Sequence, residues 1–452
     1  MRTVRDKHAR RPLPPAPRLP RAVQTFAFWH EPHAYLAWCR RRYGHTFIIN
    51  PVGMPSLVFM SEPDDIKLIV RAPADVLHPG EGGTVIAPLV GEGSFMLADE
   101  DEHLRGRRAI MPSFHQNAVE GHASMVRELV VRDLASWPRG TPVAIHPYLR
   151  ALTLKIILRT IFGEHSRIED LHARLFAMFS VTASLVLQEP PLRHLPGWRR
   201  AWRRFLVDRS EIDKIIFSLI EDGAHTQADQ SVLSALLGTS ERDRDQTDAT
   251  KVHDAVMSLI LAGHETTASE LAWAFQLLAH NRKVADRLVD DLDNGDERYL
   301  TATIQEVLRH RPVFLFAIPR VVRKPYEIAG TTYIPPVQLV GCIHLMHHDP
   351  NLYPQPGQFR PERFLQTTPH PDLWLPWGGG RKHCPGNHLA MLEMSIVLRT
   401  VLHALQVEPV GNRIETARWR SVIVTPEKGS QIILKERDTV RHHTVRSRLF
   451  PR

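Results

Sequence analysis

Helical spacing of apolar residues dominates the chain, and alternation of apolar with polar residues is confined to a few short runs. Residues 31–43 place Tyr35, Leu36, Trp38 and Cys39 toward one core face, and Gly44 stops that helix. The apolar runs 47–50 and 57–60 flank Pro51, Gly53 and Pro55, which predicts a β-hairpin. A short helix is expected over 62–71. Residues 78–96, with Gly80, Gly82, Gly83, Gly91 and Gly93, predict a long loop of the kind that more often serves function than connection. A helix then opens on Asp99, Glu100, Asp101 and Glu102 and continues through Arg105, Arg107 and Arg108, acids first and bases later as the helix dipole favours. Helical patterns continue to about residue 220, and the polar stretch 222–248 reads as a surface connection. A single helical pattern covers 247–280, about 50 Å at 1.5 Å per residue, enough to cross a whole domain. The next helix ends before Pro312, β-type runs follow near 326–328 and 337–343, residues 346–384 lack periodicity, and a last helix is expected from Pro385 to about Leu405.

Composition narrows the function classes. The 452 residues are 43% hydrophobic and 23% charged, which suits a globular chain with a large core. The formal charge of +8 invites a nucleic-acid or anionic-membrane reading. Its location argues otherwise: residues 1–21 sum to +6 and residues 435–452 to +4, so the body between them is −2. Blocks of like charge at termini are commonly solvated tails, and nucleic acid is not expected as a partner. Three cysteines, Cys39, Cys342 and Cys384, form no disulfide framework and fit a reducing compartment. No secretory signal and no apolar run of about 18 residues is present, so no transmembrane anchor is expected and the location reads as cytoplasmic. The expected organisation is a basic, Pro-rich segment at 1–22, one domain at 23–436 and a basic tail at 437–452.

The strongest chemical signal is Trp377-Gly378-Gly379-Gly380-Arg381-Lys382-His383-Cys384-Pro385-Gly386. A lone cysteine between a glycine-rich turn and a helix start has a site where the helix N-terminus stabilises a thiolate and lowers its pKa. Pro385 suits the first helical position. Glycines let backbone N–H groups approach the sulfur and tune a bound metal. Zinc would recruit His383 and His388 but commonly needs a second cysteine close by, which is lacking. An axial haem thiolate fits better.

This segment resembles the haem-binding signature of the cytochrome P450 family, F-x-x-G-x-R-x-C-x-G. Gly380, Cys384 and Gly386 match; Trp377 stands where the family usually has Phe, and Lys382 where it usually has Arg or His. The resemblance implies a mainly α fold, a large helical domain with small β-sheets on one side, and a haem b cofactor with Cys384 as its iron ligand. Trp377, Gly378 and Gly386 would line the proximal side. Three further motifs occur in family order. Glu306-Val307-Leu308-Arg309 with Arg363 resembles the family's structural brace. Ala262-Gly263-His264-Glu265-Thr266-Thr267 resembles the distal motif, which gives Glu265 and Thr266 the role of proton delivery and places Ala262 and Gly263 against the haem. His103, Arg107 and Arg108, with Pro112 and Phe114, resemble a propionate-binding helix, joined by Arg320 and Lys382.

The implied activity is haem-thiolate monooxygenation of a hydrophobic small molecule such as a lipid, terpenoid or steroid. Absence of a convincing nucleotide-binding fingerprint implies a separate ferredoxin or flavodoxin with its NAD(P)H reductase. Arg105, Arg108 and Arg381 are expected on the face that docks it. Residues 78–96, 176–192, 313–318 and 424–426 are expected to wall the substrate pocket. A peroxide-using or isomerising haem-thiolate enzyme, and a non-catalytic haem sensor, are the alternatives. The pairs His347-His348 and His442-His443 are expected at the surface.

Overall fold

The structure is a computed structural model that describes residues 13–182, 196–224, 231–242 and 248–437. Five helices position the site: α1 (Glu100–Phe114), α2 (His146–Phe162), α3 (Ala249–His280), α4 (Arg298–His310) and α5 (Asn387–Ala404). The longest, α3, starts where predicted. Asp248 caps it by accepting a hydrogen bond from the Thr250 N–H, which satisfies one of the four free donors of the first turn.

Two apolar cores lie along α3. Ala268 to Ala279 pack with α4, α5 and the helix Ala123–Leu134. Val252 to Ile260 pack with α2, the helix Ile168–Thr182 and the helix Pro196–Ala224. Residues 261–267 fall between the two cores, and Ala262 there is exposed although the turns on either side are buried. An exposed alanine in the middle of a buried helix marks an opening in the interior.

The main sheet joins distant parts of the chain. Strands β1 (Thr46–Ile49) and β2 (Leu57–Met60) form the predicted antiparallel hairpin. With β3 (Leu77–His78), β4 (Arg320–Val322) and β5 (Gln338–Gly341) they make one sheet of order β1-β2-β5-β4-β3. The β2–β5 pair is parallel, Leu57 opposite Gln338; the β4–β5 and β3–β4 pairs are antiparallel. A separate hairpin, β6 (Ala417–Arg420) and β7 (Ile423–Pro426), packs on α3.

Several expectations need correction. The stretch 78–96 holds short helical turns, Pro79–Gly82, Thr84–Ile86 and Ala87–Val90, because the Asp99 carboxylate accepts the Gly80 and Glu81 N–H groups and fixes a turn there. The connection 222–248 contains a helix, Val232–Arg242, whose Leu233 and Leu236 are buried. A helix at Arg21–His30 was not anticipated, its short pattern hidden behind the proline run. On Pro32–Tyr43, Tyr35, Leu36 and Cys39 are buried but Trp38 faces solvent. His347 is buried, its Nε2 accepting the Leu375 N–H. His442 and His443, like residues 1–12 and 438–452, lie outside the described residues.

Candidate active site

The Cys384 loop is shaped by backbone requirements. Gly378 and Gly380 have φ of +66° and +63°, a region that glycine enters without the clash a Cβ causes. A Cβ on Gly380 would also stand 1.9 Å from the Val70 carbonyl oxygen. Turn hydrogen bonds close the loop: Gly378 N–H to Leu375 O at 3.0 Å, and Cys384 N–H to Trp377 O at 2.9 Å. Trp377 packs on the first core. Helix α5 begins at Asn387 with Gly386 at its cap, so Pro385 precedes the helix instead of opening it.

Cys384 is half-buried and unpaired. Burial pushes its thiol above the ordinary value, while the Gly386 N–H and the Arg107 charge pull it down. The expectation of a lowered pKa is therefore reversed for the bare thiol: removal from water outweighs the helix terminus.

Helix α1 clamps this loop. Arg107 Nη1 donates to the His383 carbonyl at 2.6 Å. The buried His103 ring spans the Phe95 carbonyl at 3.0 Å and the Arg381 carbonyl at 3.1 Å. Lys382 Nζ donates to the carbonyls of Met96 at 3.0 Å and Ala98 at 2.7 Å, and burial brings its ammonium down to about 8. The cations that the sequence assigns to propionates thus hold backbone carbonyls around the loop. Arg320 differs: it is buried, and its Nε has no hydrogen-bond partner. It lines a cavity of about 20 Å³ with His103, Lys382, Asp99 and Leu77. Arg105, Arg108 and Arg381 are exposed.

The distal motif sits on the segment of α3 between the two cores. A Cβ on Gly263 would meet Ile157 Cγ1 at 2.9 Å, so α2 and α3 approach closely here. The helix stays continuous through the motif, with hydroxyls taking its carbonyls: Thr266 Oγ1 to Ala262 O at 2.6 Å, Thr153 Oγ1 to His264 O at 2.7 Å and Ser269 Oγ to Glu265 O at 2.7 Å.

Glu265 does not sit behind the Thr266 hydroxyl as a simple two-residue relay. Its carboxylate is gripped by Arg150 Nε at 2.5 Å and lies 2.8 Å from Arg420 Nε and 3.4 Å from His146 Nε2. The His264 ring is 3.5 Å away and stacks on Phe179. Burial opposes ionisation of Glu265, but His264, Arg150 and His146 outweigh it and hold the carboxyl well below the usual range. Sequence reasoning missed Arg150, His146 and Arg420, since α2 and β6 carry no motif that announces contact with α3.

The brace residues converge as expected. Glu306 and Arg309 are fully buried, with Nε–Oε2 at 2.7 Å and Nη2–Oε1 at 2.9 Å. Arg363 Nε approaches Glu306 at 3.0 Å, and the Arg360 N–H donates to the same carboxylate at 2.8 Å. Arg309 also donates to the carbonyls of His347 and Pro356. Every ionised oxygen has a partner, which is what makes burial of the pair tolerable.

Two expected pocket walls meet each other: the Val424 N–H donates to the Val313 carbonyl, and the Val313 N–H to the buried Glu270 carboxyl of α3. Phe316, expected to face the pocket, instead packs in an aromatic cluster with Phe28, Phe59 and Trp419. Of the wall at 176–192, residues 183–192 lie outside the described residues.

The residues present fit a haem. They offer one cysteine thiol with a backbone N–H aimed at it, a buried guanidinium with an unpartnered Nε, and an exposed alanine, Ala262, in the middle of α3.

Comparison with known proteins agrees. A family model described as Cytochrome P450 matches residues 11–434. The chain is 32% identical over 434 residues to "Putative cytochrome P450 135B1" of Mycobacterium tuberculosis, covering 93% of this chain and 91% of the relative. It is 32% identical over 431 residues to "Putative cytochrome P450 138" of the same organism, covering 94% and 97%. Among solved structures, a retinoic acid bound cyanobacterial CYP120A1 superposes with a TM-score of 0.82 at 20% identity, over 94% of this chain and 100% of that one. Among the described residues, no helix is long and apolar enough to cross a membrane.

Proposed function

The chain belongs to the cytochrome P450 family, the haem-thiolate monooxygenases, and from that premise we propose which of its residues perform the reaction and on what class of molecule. The observation that carries the proposal is the Cys384 loop, closed by its own turn hydrogen bonds and clamped from α1, with a backbone N–H on the sulfur. Cys384 would hold a haem b through its sulfur. Bound there, the haem supplies dioxygen activation, which thiolate donation favours. Holding the iron there would require Cys384 as the thiolate, against the burial that favours its thiol. The Gly386 N–H then tempers the sulfur's charge, and Trp377 and Gly378 shield its side of the loop. Arg320 offers its free Nε to a propionate. His103, Arg107 and Lys382 support it by fixing the loop, and would supply the cations for a second propionate. Ala262, exposed on α3, would leave space for the haem, whereas Gly263 admits α2, whose Ile157 lies where a Cβ would stand.

Thr266 presents the hydroxyl that passes a proton. Glu265 is its source, and it accepts a proton from solvent only when its arginine contacts loosen. Electrons come from a separate ferredoxin or flavodoxin with its NAD(P)H reductase, docking on Arg105, Arg108 and Arg381. The substrate is a hydrophobic small molecule of the lipid, terpenoid or steroid kind, and the enzyme works in the cytoplasm, where its three free cysteines stay reduced.

The test is the reduced carbon monoxide spectrum. The wild-type protein shows the red-shifted Soret band of thiolate ligation, and Cys384→Ser abolishes it. A folded, haem-loaded wild-type protein without that band overturns the reading.

A further inference from the structure

The cluster around Glu265 is out of electrostatic balance. Arg150 and Arg420 both face this one carboxylate, at 2.5 and 2.8 Å. His146, against Glu265 and the Ser269 hydroxyl, is kept neutral near pH 7 because burial brings it down to about 4. No second acid approaches the two arginines among the described residues. Arg150 is 4% exposed, with Phe176 against its guanidinium and its Nη2 left without a hydrogen-bond partner. Arg420 Nε also lacks one, since its approach to Glu265 is close but misaligned. A buried guanidinium with an empty donor is costly unless an acceptor arrives.

The position of the pair shows where that acceptor comes from. Arg420 ends β6 at the turn of the β6–β7 hairpin, against Glu265 in the turn of α3 that also carries the exposed Ala262, and its side chain is 26% exposed. The hairpin is tied through Val424 to Val313, so the cation stands at the edge of the expected substrate space.

We propose that Arg420 and Arg150 form the recognition site for a single carboxylate carried by an otherwise hydrophobic substrate. The inference rests on the monooxygenase reading and narrows its substrate class to amphipathic acids. The substrate carboxylate takes up the free donors of both guanidiniums, a planar fork suited to a carboxylate. It thereby competes with Glu265 for Arg420 and loosens the grip on the Glu265 carboxylate, so a bound acid also prepares the proton path.

The experiment uses the haem-loaded protein and matched probes: dodecanoic acid against 1-dodecanol, and a tricyclic resin acid against its alcohol. Binding is read by titration calorimetry and by the spin-state shift. At least one acid is expected to bind tenfold or more tighter than its alcohol. Arg420→Gln is expected to remove that advantage without changing the affinity for the alcohol, and Arg420→Lys to restore part of it. Equal affinity for acid and alcohol in the wild type, or equal weakening of both by Arg420→Gln, overturns the proposal. A red-shifted carbon monoxide band in the same preparation separates failure of this inference from failure of the haem-thiolate reading.

Discussion

Glu265 and Thr266 are neighbours in sequence that serve different partners in space. The hydroxyl bonds back to Ala262 within its helix, while the carboxylate reaches two arginines on other elements. Thr266→Ala is therefore expected to lower oxygen-driven product formation by about 10²-fold, the scale of one lost proton-transfer group, with peroxide release rising as product falls. Turnover driven by added hydrogen peroxide should change little. Undiminished oxygen-driven turnover in the variant would favour a peroxide-using or isomerising enzyme. At this scale the sequence displayed the residues whose signals are local: Cys384 in its glycine turn, and Glu306 with Arg309 one helical turn apart. Arg150 and Arg420 were illegible because their significance depends on long-range packing. An isolated arginine on a helix or in a strand such as Ala417–Arg420 looks like any solvated one. The direction of the Cys384 shift was misjudged for a related reason, since burial is a property of the whole fold.

Elements carry the next set of consequences. Gly380 must hold a positive φ directly beneath the Val70 carbonyl. Gly380→Ala is expected to cost at least about 1–2 kcal/mol from the left-handed backbone alone, with the collision adding to it. The readouts are a lower melting temperature and less haem per chain, while the helices keep their circular dichroism. The brace predicts a larger loss. Glu306→Gln leaves Arg309 and Arg363 buried without their counter-charge, a defect worth about 3–5 kcal/mol. The variant should lose haem on gel filtration and melt well below the wild type. Long periodic elements such as α3 were legible to within about two residues. The short turns of 79–90 were not, because they arise from Asp99 accepting two backbone N–H groups across a stretch whose glycines favour no single conformation.

The molecule as a whole responds to acid through its buried histidines. His33, His310 and His347 are brought down to about 3, and His146 to about 4, in each case mainly by burial. Below about pH 6.5 the unfolded chain binds protons at these sites that the folded chain refuses, so stability falls as pH falls toward 4. Each such histidine contributes up to about 1.4 kcal/mol per pH unit. Glu270 and Glu393, pushed up by burial, act in the opposite sense above pH 4.5. The four histidines outnumber these two carboxyls, so the melting temperature is expected to drop between pH 6.5 and 4.5. A flat profile there would show that these histidines are not buried neutral.

The clamp on Cys384 has a consequence for biosynthesis. Its donors and carbonyls, from Phe95 to Arg107, are made some 280 residues before the loop they hold. The parallel strand β5 likewise docks on a hairpin synthesised some 280 residues before it. A ribosome making this chain from its N-terminus therefore leaves the cradle unfinished until residues 377–386 have emerged. Haem loading must then wait until that loop has been made and has met its early partners, so a chain cut short before residue 377 is expected to retain no haem.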